Sequence, residues 1–219
     1  MPVSPRTSFN SSPFIRLLAG LGAAEPSRST QTFAERWSTW LDWTDAISLS
    51  AVLNAGPAAA PAAAGAGAPA RVPAVAEALR RVRSELAAAI TADRADVAQW
   101  RSRYQAHQRA MDTRIGPLRA EVRAALAARS APLARLAALD ATLDQALGAR
   151  ERQLLATAPA LLQKHFDRQG QAQTDTTAPW QAAFAQQVQS VLLAELGLRL
   201  QPVVAMVGAL APAPTEQPS

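Results

Sequence analysis

Residues 73–115 read PAVAEALRRVRSELAAAITADRADVAQWRSRYQAHQRAMDTRI, and their spacing decides the fold class. Val75, Leu79, Val82, Leu86, Ile90, Asp93, Val97, Trp100, Tyr104, His107, Met111, Ile115, Leu118, Val122 and Leu126 form one series of steps of three or four. Fourteen steps cover 51 residues, about 3.64 each, the period of an ordinary α-helix and not the roughly 3.5 of a left-handed heptad coil. The pattern predicts one amphipathic helix from about Pro73 to Ile115, roughly 60 Å long at 1.5 Å per residue. Gly116-Pro117 should end or kink it, since proline lacks a ladder N–H and clashes one turn back.

Toward the C-terminus, Ser130 and Pro132 signal another helix start, followed by a leucine stripe at Leu133, Leu136, Leu143, Leu147, Leu154 and Leu161 that Pro159 interrupts late. RQGQAQTDTTAP (168–179) is a polar loop. Thr177 with Pro179 opens a last helix carrying Trp180, Phe184, Val188, Val191 and Leu192, which Gly197 and Pro202 should weaken.

Toward the N-terminus, residues 54–70 read NAGPAAAPAAAGAGAPA, without a charge or a large side chain, as in a flexible linker. Before it stands ERWSTWLDWTDAISLSAVL (35–53), which holds three of the chain's five tryptophans. Thr32 with Glu35 has capping-box spacing. Phe33, Trp37, Trp40, Thr44, Ile47 and Ala51 share the face expected to be buried, with Trp43, Leu49 and Leu53 off it. Asp45, Ser48 and Ser50 lie where the helix becomes apolar all round and are expected to be buried and hydrogen-bonded. Ser12-Pro13 opens a short helix that closes near Gly20 or Gly22.

Nothing alternates with period two over a useful length, so the expected fold is all-α. The expected organisation is a disordered 1–8, an N-terminal helical module over 9–54, a flexible Ala/Pro/Gly linker over 55–72, a long antiparallel helical bundle or hairpin over 73–210, and a disordered tail over 211–219.

The chain has 219 residues, no cysteine and a net charge of +5. Disulfides, thiol nucleophiles and thiolate metal sites are therefore excluded. The pI of about 11.1 overstates the basicity, because with two histidines and one tyrosine almost nothing titrates between acid and strongly alkaline pH. No secretory signal pattern opens the chain. The most apolar run, LLAELGLRLQPVVAMVGAL (192–210), is interrupted by Glu195, Arg199 and Pro202, so the expectation is no transmembrane segment and a soluble, cytoplasmic protein.

Chemistry-bearing motifs are sparse. His107 and His165 are 58 residues apart, without metal-ligand spacing. His107 falls on the apolar stripe, as a core or seam histidine with a bonded ring nitrogen, or as a ligand or pH switch paired with a carboxylate from another helix. Asp93 either fixes register in that stripe or marks where it drifts to the surface. No phosphate-binding glycine loop and no nucleophile elbow occurs, so no enzyme, cofactor or metal is expected. On a continuous 73–115 helix, Arg80, Arg83, Arg94, Arg101 and Arg109 line one flank of the stripe, a ridge that could track nucleic-acid phosphates or be solvated. Trp43, Asp45, Leu49 and Leu53 are the candidates for docking a protein partner, since tryptophan is enriched at binding hot spots.

RTSFNSSPFIRLLAGLG and FAERWSTWLDWTDAISLSAVLN, within residues 6–54, resemble the N-terminal signature of an uncharacterised proteobacterial family of unknown function. No catalytic residue is implied. The genomic neighbourhood of members, beside a large membrane protein and an OmpA-like protein, implies a cytoplasmic accessory to a cell-envelope assembly. The functional expectation is a non-enzymatic helical adaptor or scaffold with a protein partner, an envelope-complex component, and a bundle able to form a homo-oligomer. Nucleic-acid binding through the arginine ridge is the alternative.

Overall fold

The computed structural model describes residues 12–21, 43–54, 68–93, 97–172 and 179–211. The protein is all-α, with no strand among those residues. The helices are α1 (Pro13–Gly20), α2 (Trp43–Asn54), α3 (Ala68–Ala92), α4 (Trp100–Ala127, preceded by a 3-10 turn at Val97–Gln99), α5 (Ala131–Leu155), α6 (Ala158–Ala172) and α7 (Pro179–Leu210).

The expected 73–115 helix is two helices. α3 starts at Ala68 and stops at Ala92, and the chain folds back into α4. Asp93 near the end of α3 pairs with Arg103 and His107 early in α4, while Glu85 farther back pairs with Arg114 farther on, so α4 returns antiparallel along α3. The apolar stripe stays in phase because both helices aim it inward. Ile90 near the end of α3 and Trp100 at the start of α4 are both buried. Thr91–Val97 contains no glycine or proline to announce the break.

Two further breaks that the sequence suggested do not occur. α4 continues through Gly116-Pro117 and α7 through Gly197 and Pro202. One proline inside a helix costs about 3 kcal/mol, which buried neighbours offset here. Ile115, Leu118 and Val122 flank Pro117, and Leu200, Val203 and Met206 flank Pro202. At Ser130 and at Pro159 the reading is closer: Ser130 Oγ accepts from Leu133 N–H at 3.4 Å at the start of α5, and α5 ends just before Pro159, which sits in the first turn of α6.

The chain packs as two compact units, each assembled from three separated stretches. The first comprises Met1–Thr30, Leu86–Met111 and Arg152–Leu198; the second comprises Gln31–Glu85, Asp112–Glu151 and Arg199–Ser219. In the first, Phe14, Ile90, Trp100, Tyr104, Met111, Leu162, Phe184, Val191 and Leu196 are buried. Phe184 is its aromatic hub, edge-on to Trp100 with centroids 5.4 Å apart and tilted against Phe166 at 5.0 Å. In the second, Val75, Val82, Leu118, Val122, Leu126, Leu200, Val203 and Leu210 are buried, and a four-charge network joins α4 to α5. Arg119 and Arg123 both pair with Asp140 and Asp144, at 2.6 to 2.9 Å. Burial alone would raise the Asp140 carboxyl, but the hydrogen bonds and charges of Arg119 and Arg123 outweigh it and hold the group below the usual carboxylate range. Burial likewise lowers Arg119, and its Asp140 hydrogen bond and the nearby carboxylates reverse this and raise it.

By length and composition alone, Trp180–Leu210 passes as a membrane-crossing helix, a test that core helices of soluble proteins also pass. Glu195, in the middle of that stretch, is fully buried and hydrogen-bonded within the first unit.

The N-terminal expectations fall partly on described residues. α1 spans Pro13–Gly20 as expected, with Ser12 as its N-cap. Trp37, Trp40, the Thr32–Glu35 box, residues 55–67 of the expected linker and most of both expected disordered ends lie outside the described residues. Residues 68–72, expected in the linker, belong to α3.

Candidate functional site

Three arrangements carry polar or exposed side chains with chemical meaning. The first is the α3–α4 connection. α3 leaves carbonyls without intrahelical partners, and Gln189 of α7 donates Nε2–H to Ile90 O at 3.1 Å and Thr91 O at 3.0 Å. Asp93 accepts from Arg103, and its Oδ2 lies 2.8 Å from His107 Nε2. Burial would raise the Asp93 carboxyl, and the His107 and Arg103 hydrogen bonds with the Arg103 charge bring it below its ordinary value. Of the two readings open for His107, the structure shows it half-buried beside a carboxylate of the neighbouring helix. Asp93 is held in the seam and has not drifted free of it. The cleft between these groups and Trp100, Tyr104 and Phe184 has a volume of about 30 Å³. That is room for one or two waters, against the roughly 300–1,000 Å³ of a small-molecule site.

The second arrangement is a buried polar cluster that the sequence reading missed. Tyr104 donates its hydroxyl to Glu195 Oε2 at 2.6 Å. Gln108 donates Nε2–H to Glu195 Oε1 at 3.0 Å and to Leu155 O, the last carbonyl of α5, also at 3.0 Å. Tyr104 and Glu195 are both fully buried. A carboxylate removed from water needs such donors, because an unsatisfied buried charge costs several kcal/mol. The signal was available: Glu195 falls on the Val188–Val191–Leu192–Leu196 face, and Tyr104 and Gln108 stand at i, i+4. The cluster is closed to solvent. Among the described residues no group of three or more histidine, aspartate or glutamate side chains is placed to hold a metal ion.

The third arrangement is α2. None of its twelve residues is buried. Trp43 is 78% exposed, Ile47 53% and Leu53 55%, while Asp45 and Leu49 are half-buried. Ile47 and Ala51, expected on a buried face, are therefore at the surface. Ser48 and Ser50, expected to be buried, are exposed and bonded locally: Ser48 Oγ donates to Thr44 O at 2.9 Å, and Ser50 Oγ accepts from Asn54 at 3.0 Å. Trp43, Ala46, Ile47, Ser50, Ala51 and Asn54 line an open concavity of about 450 Å³ along one side. Within the second unit, Arg135 of α5 donates to Leu53 O at 2.8 Å and caps the helix.

The five arginines of the proposed ridge no longer share one helix. Arg80 and Arg83 are exposed on α3, Arg80 with Glu77 at 2.5 Å. Arg101 and Arg109 are exposed on α4, and Arg94 lies outside the described residues. The ridge assumes one unbroken helix, whereas α3 ends at Ala92 and α4 begins at Trp100.

No curated protein and no solved structure matches the chain significantly. With its residues 1–212 matched, the chain belongs to the family described as Protein of unknown function (DUF3348).

Proposed function

We propose that the protein is a non-enzymatic helical adaptor that binds a protein partner through α2. One observation carries the reading: a twelve-residue helix with no buried residue presents Trp43, Ile47 and Leu53 to solvent. Trp43 and Ile47 stand one helical turn apart, as apolar anchors do in helix-in-groove docking, and tryptophan leads among hot-spot residues. The closed Tyr104–Gln108–Glu195 cluster and the small cleft beside Asp93 support the non-enzymatic part. A cytoplasmic location and a role beside an envelope assembly are part of the same proposal and rest on the family resemblance.

The test is capture of partners by the tagged full chain, with and without nuclease, beside Trp43→Ala and Leu49→Asp variants of unchanged helicity. A discrete protein retained after nuclease and lost in both variants is the expected result. Recovery of nucleic acid, with affinity falling steeply with salt, would replace the adaptor by a phosphate-binding surface.

A further inference from the structure

We propose that, in the absence of a partner, α2 is covered by α2 of a second copy of the chain, in an antiparallel two-fold pair. The inference rests on the reading of α2 as the docking helix and names its resting occupant.

Charge comes first. In a two-fold contact the same patch meets itself, so any charged group on it is brought toward its own image. Among the described residues, those lining the concave side of α2 carry none: Trp43, Ala46, Ile47, Ser50, Ala51 and Asn54 are all uncharged. Asp45, the one charged residue of the helix, projects about 200° around the axis from Trp43 at 100° per residue.

Shape comes second. The side holds both a projection and a place to receive one. Trp43 stands at one end, 78% exposed. Ala46, Ser50 and Asn54, four residues apart, form a low row along the open concavity of about 450 Å³. Antiparallel pairing about the middle of α2 lays each Trp43 over the Ser50–Asn54 end of the other copy. Ile47 then faces Ser50.

Area sets the strength. Twelve residues make a helix about 18 Å long, and one face of it buries well below the roughly 1,600 Å² of a standard stable interface. The pair is therefore weak, and a partner covering more of α2 displaces it. Each copy carries +5, so added salt lessens repulsion between copies and tightens the pair, the opposite of a phosphate-binding surface.

The test is sedimentation velocity on the purified full chain from about 1 to about 200 µM, a range chosen for so small an interface. Wild type should pass from monomer to dimer, more readily at higher salt. Ile47→Asp should remain monomeric with unchanged circular dichroism. Ser48→Asp, whose side chain projects about 140° from Trp43, should dimerise like wild type. The chain has no cysteine, so Ser50→Cys should give a disulfide-linked dimer on oxidation while Ser48→Cys does not. A wild type monomeric throughout, or a dimer that survives Ile47→Asp and leaves Ser50→Cys uncrosslinked, overturns the proposal. Partner capture that is lost in Ile47→Asp although wild type is monomeric would remove only the self-pairing and leave the adaptor standing.

Discussion

α7 and α2 are about equally apolar along their lengths, and they are used in opposite ways. α7 buries Phe184, Val188, Val191, Leu192, Leu196, Leu200, Val203, Met206 and Leu210, and even its glutamate is sealed among donors. α2 buries nothing. Apolar composition therefore does not determine burial in this chain. Periodicity does not separate them either, since apolar residues lie all round both: α7 also exposes Leu193 and Val204, and α2 carries Trp43, Ile47, Leu49, Val52 and Leu53 on several sides, so what differs is whether neighbouring helices arrive to cover a side. A helix that is apolar all round and unburied in its own fold has surface left for another molecule.

The largest effect should come from breaking the sealed side. Phe184 is buried against Trp100, His165 and Phe166, so Phe184→Ala removes all three ring contacts and leaves a cavity. The expected cost is about 3–5 kcal/mol by urea unfolding. A loss below about 1 kcal/mol would mean that the first unit is loosely packed, and the contrast with α2 would fail.

Next in size is the charged network of α4 and α5. Asp140→Asn removes the carboxylate that Arg119 and Arg123 share and leaves Asp144 as the one carboxylate paired with both, at a cost of about 3 kcal/mol at neutral pH. The sign with pH follows from the lowered Asp140 carboxyl. A depressed carboxylate stabilises the fold fully above its unfolded value of about 3.9, and that contribution is lost as pH falls through the folded value. Wild type should therefore lose stability more steeply than Asp140→Asn below about pH 4, and the two curves should converge in acid. Parallel curves would show that the network contributes no pH-dependent stability.

What the sequence could show and what it could not divides along similar lines. The apolar period and the absence of alternation made the all-α class readable, and Ser12-Pro13 and Ser130 marked two helix starts through local chemistry. The ends of helices were harder. α3 stops where Gln189 caps Ile90 and Thr91, α5 where Gln108 caps Leu155, α2 where Arg135 caps Leu53, and α1 where Arg168 reaches Leu21. In each case the group satisfying the last carbonyls comes from 47 to 147 residues away, so an end needs no local signal: α1 does close at Gly20 and α2 at Asn54, but nothing near Ala92 announces the end of α3. This is why a stripe that stays in phase through Asp93 read as one long helix. The Arg119/Arg123 and Asp140/Asp144 doublets, each spaced by four, were legible as partners only once the helices carrying them were known to be neighbours. On α2, Trp43, Leu49 and Leu53 were singled out by lying off the face expected to be buried, but Ile47 was assigned to the core. A wheel ranks the faces of a helix and does not show whether any neighbour arrives to cover them.

The smallest effect sharpens the comparison most. Ile47 is 53% exposed, so Ile47→Ala gives up little buried surface, and alanine regains a few tenths of a kcal/mol in helix propensity over a β-branched residue. At about 1 µM, where self-pairing through so small an interface is negligible, the stability change should lie within about 0.5 kcal/mol of zero. Val191→Ala on α7, at a fully buried position of similar chemistry, should cost about 1–3 kcal/mol in the same experiment. If the two substitutions cost the same, α2 is packed in solution as α7 is, and neither a partner nor a second copy would find an open face there. If Ile47→Ala is silent in stability but weakens dimer formation or partner capture, the same side chain is dispensable for folding and needed for association, which is the property that separates a docking helix from a core helix.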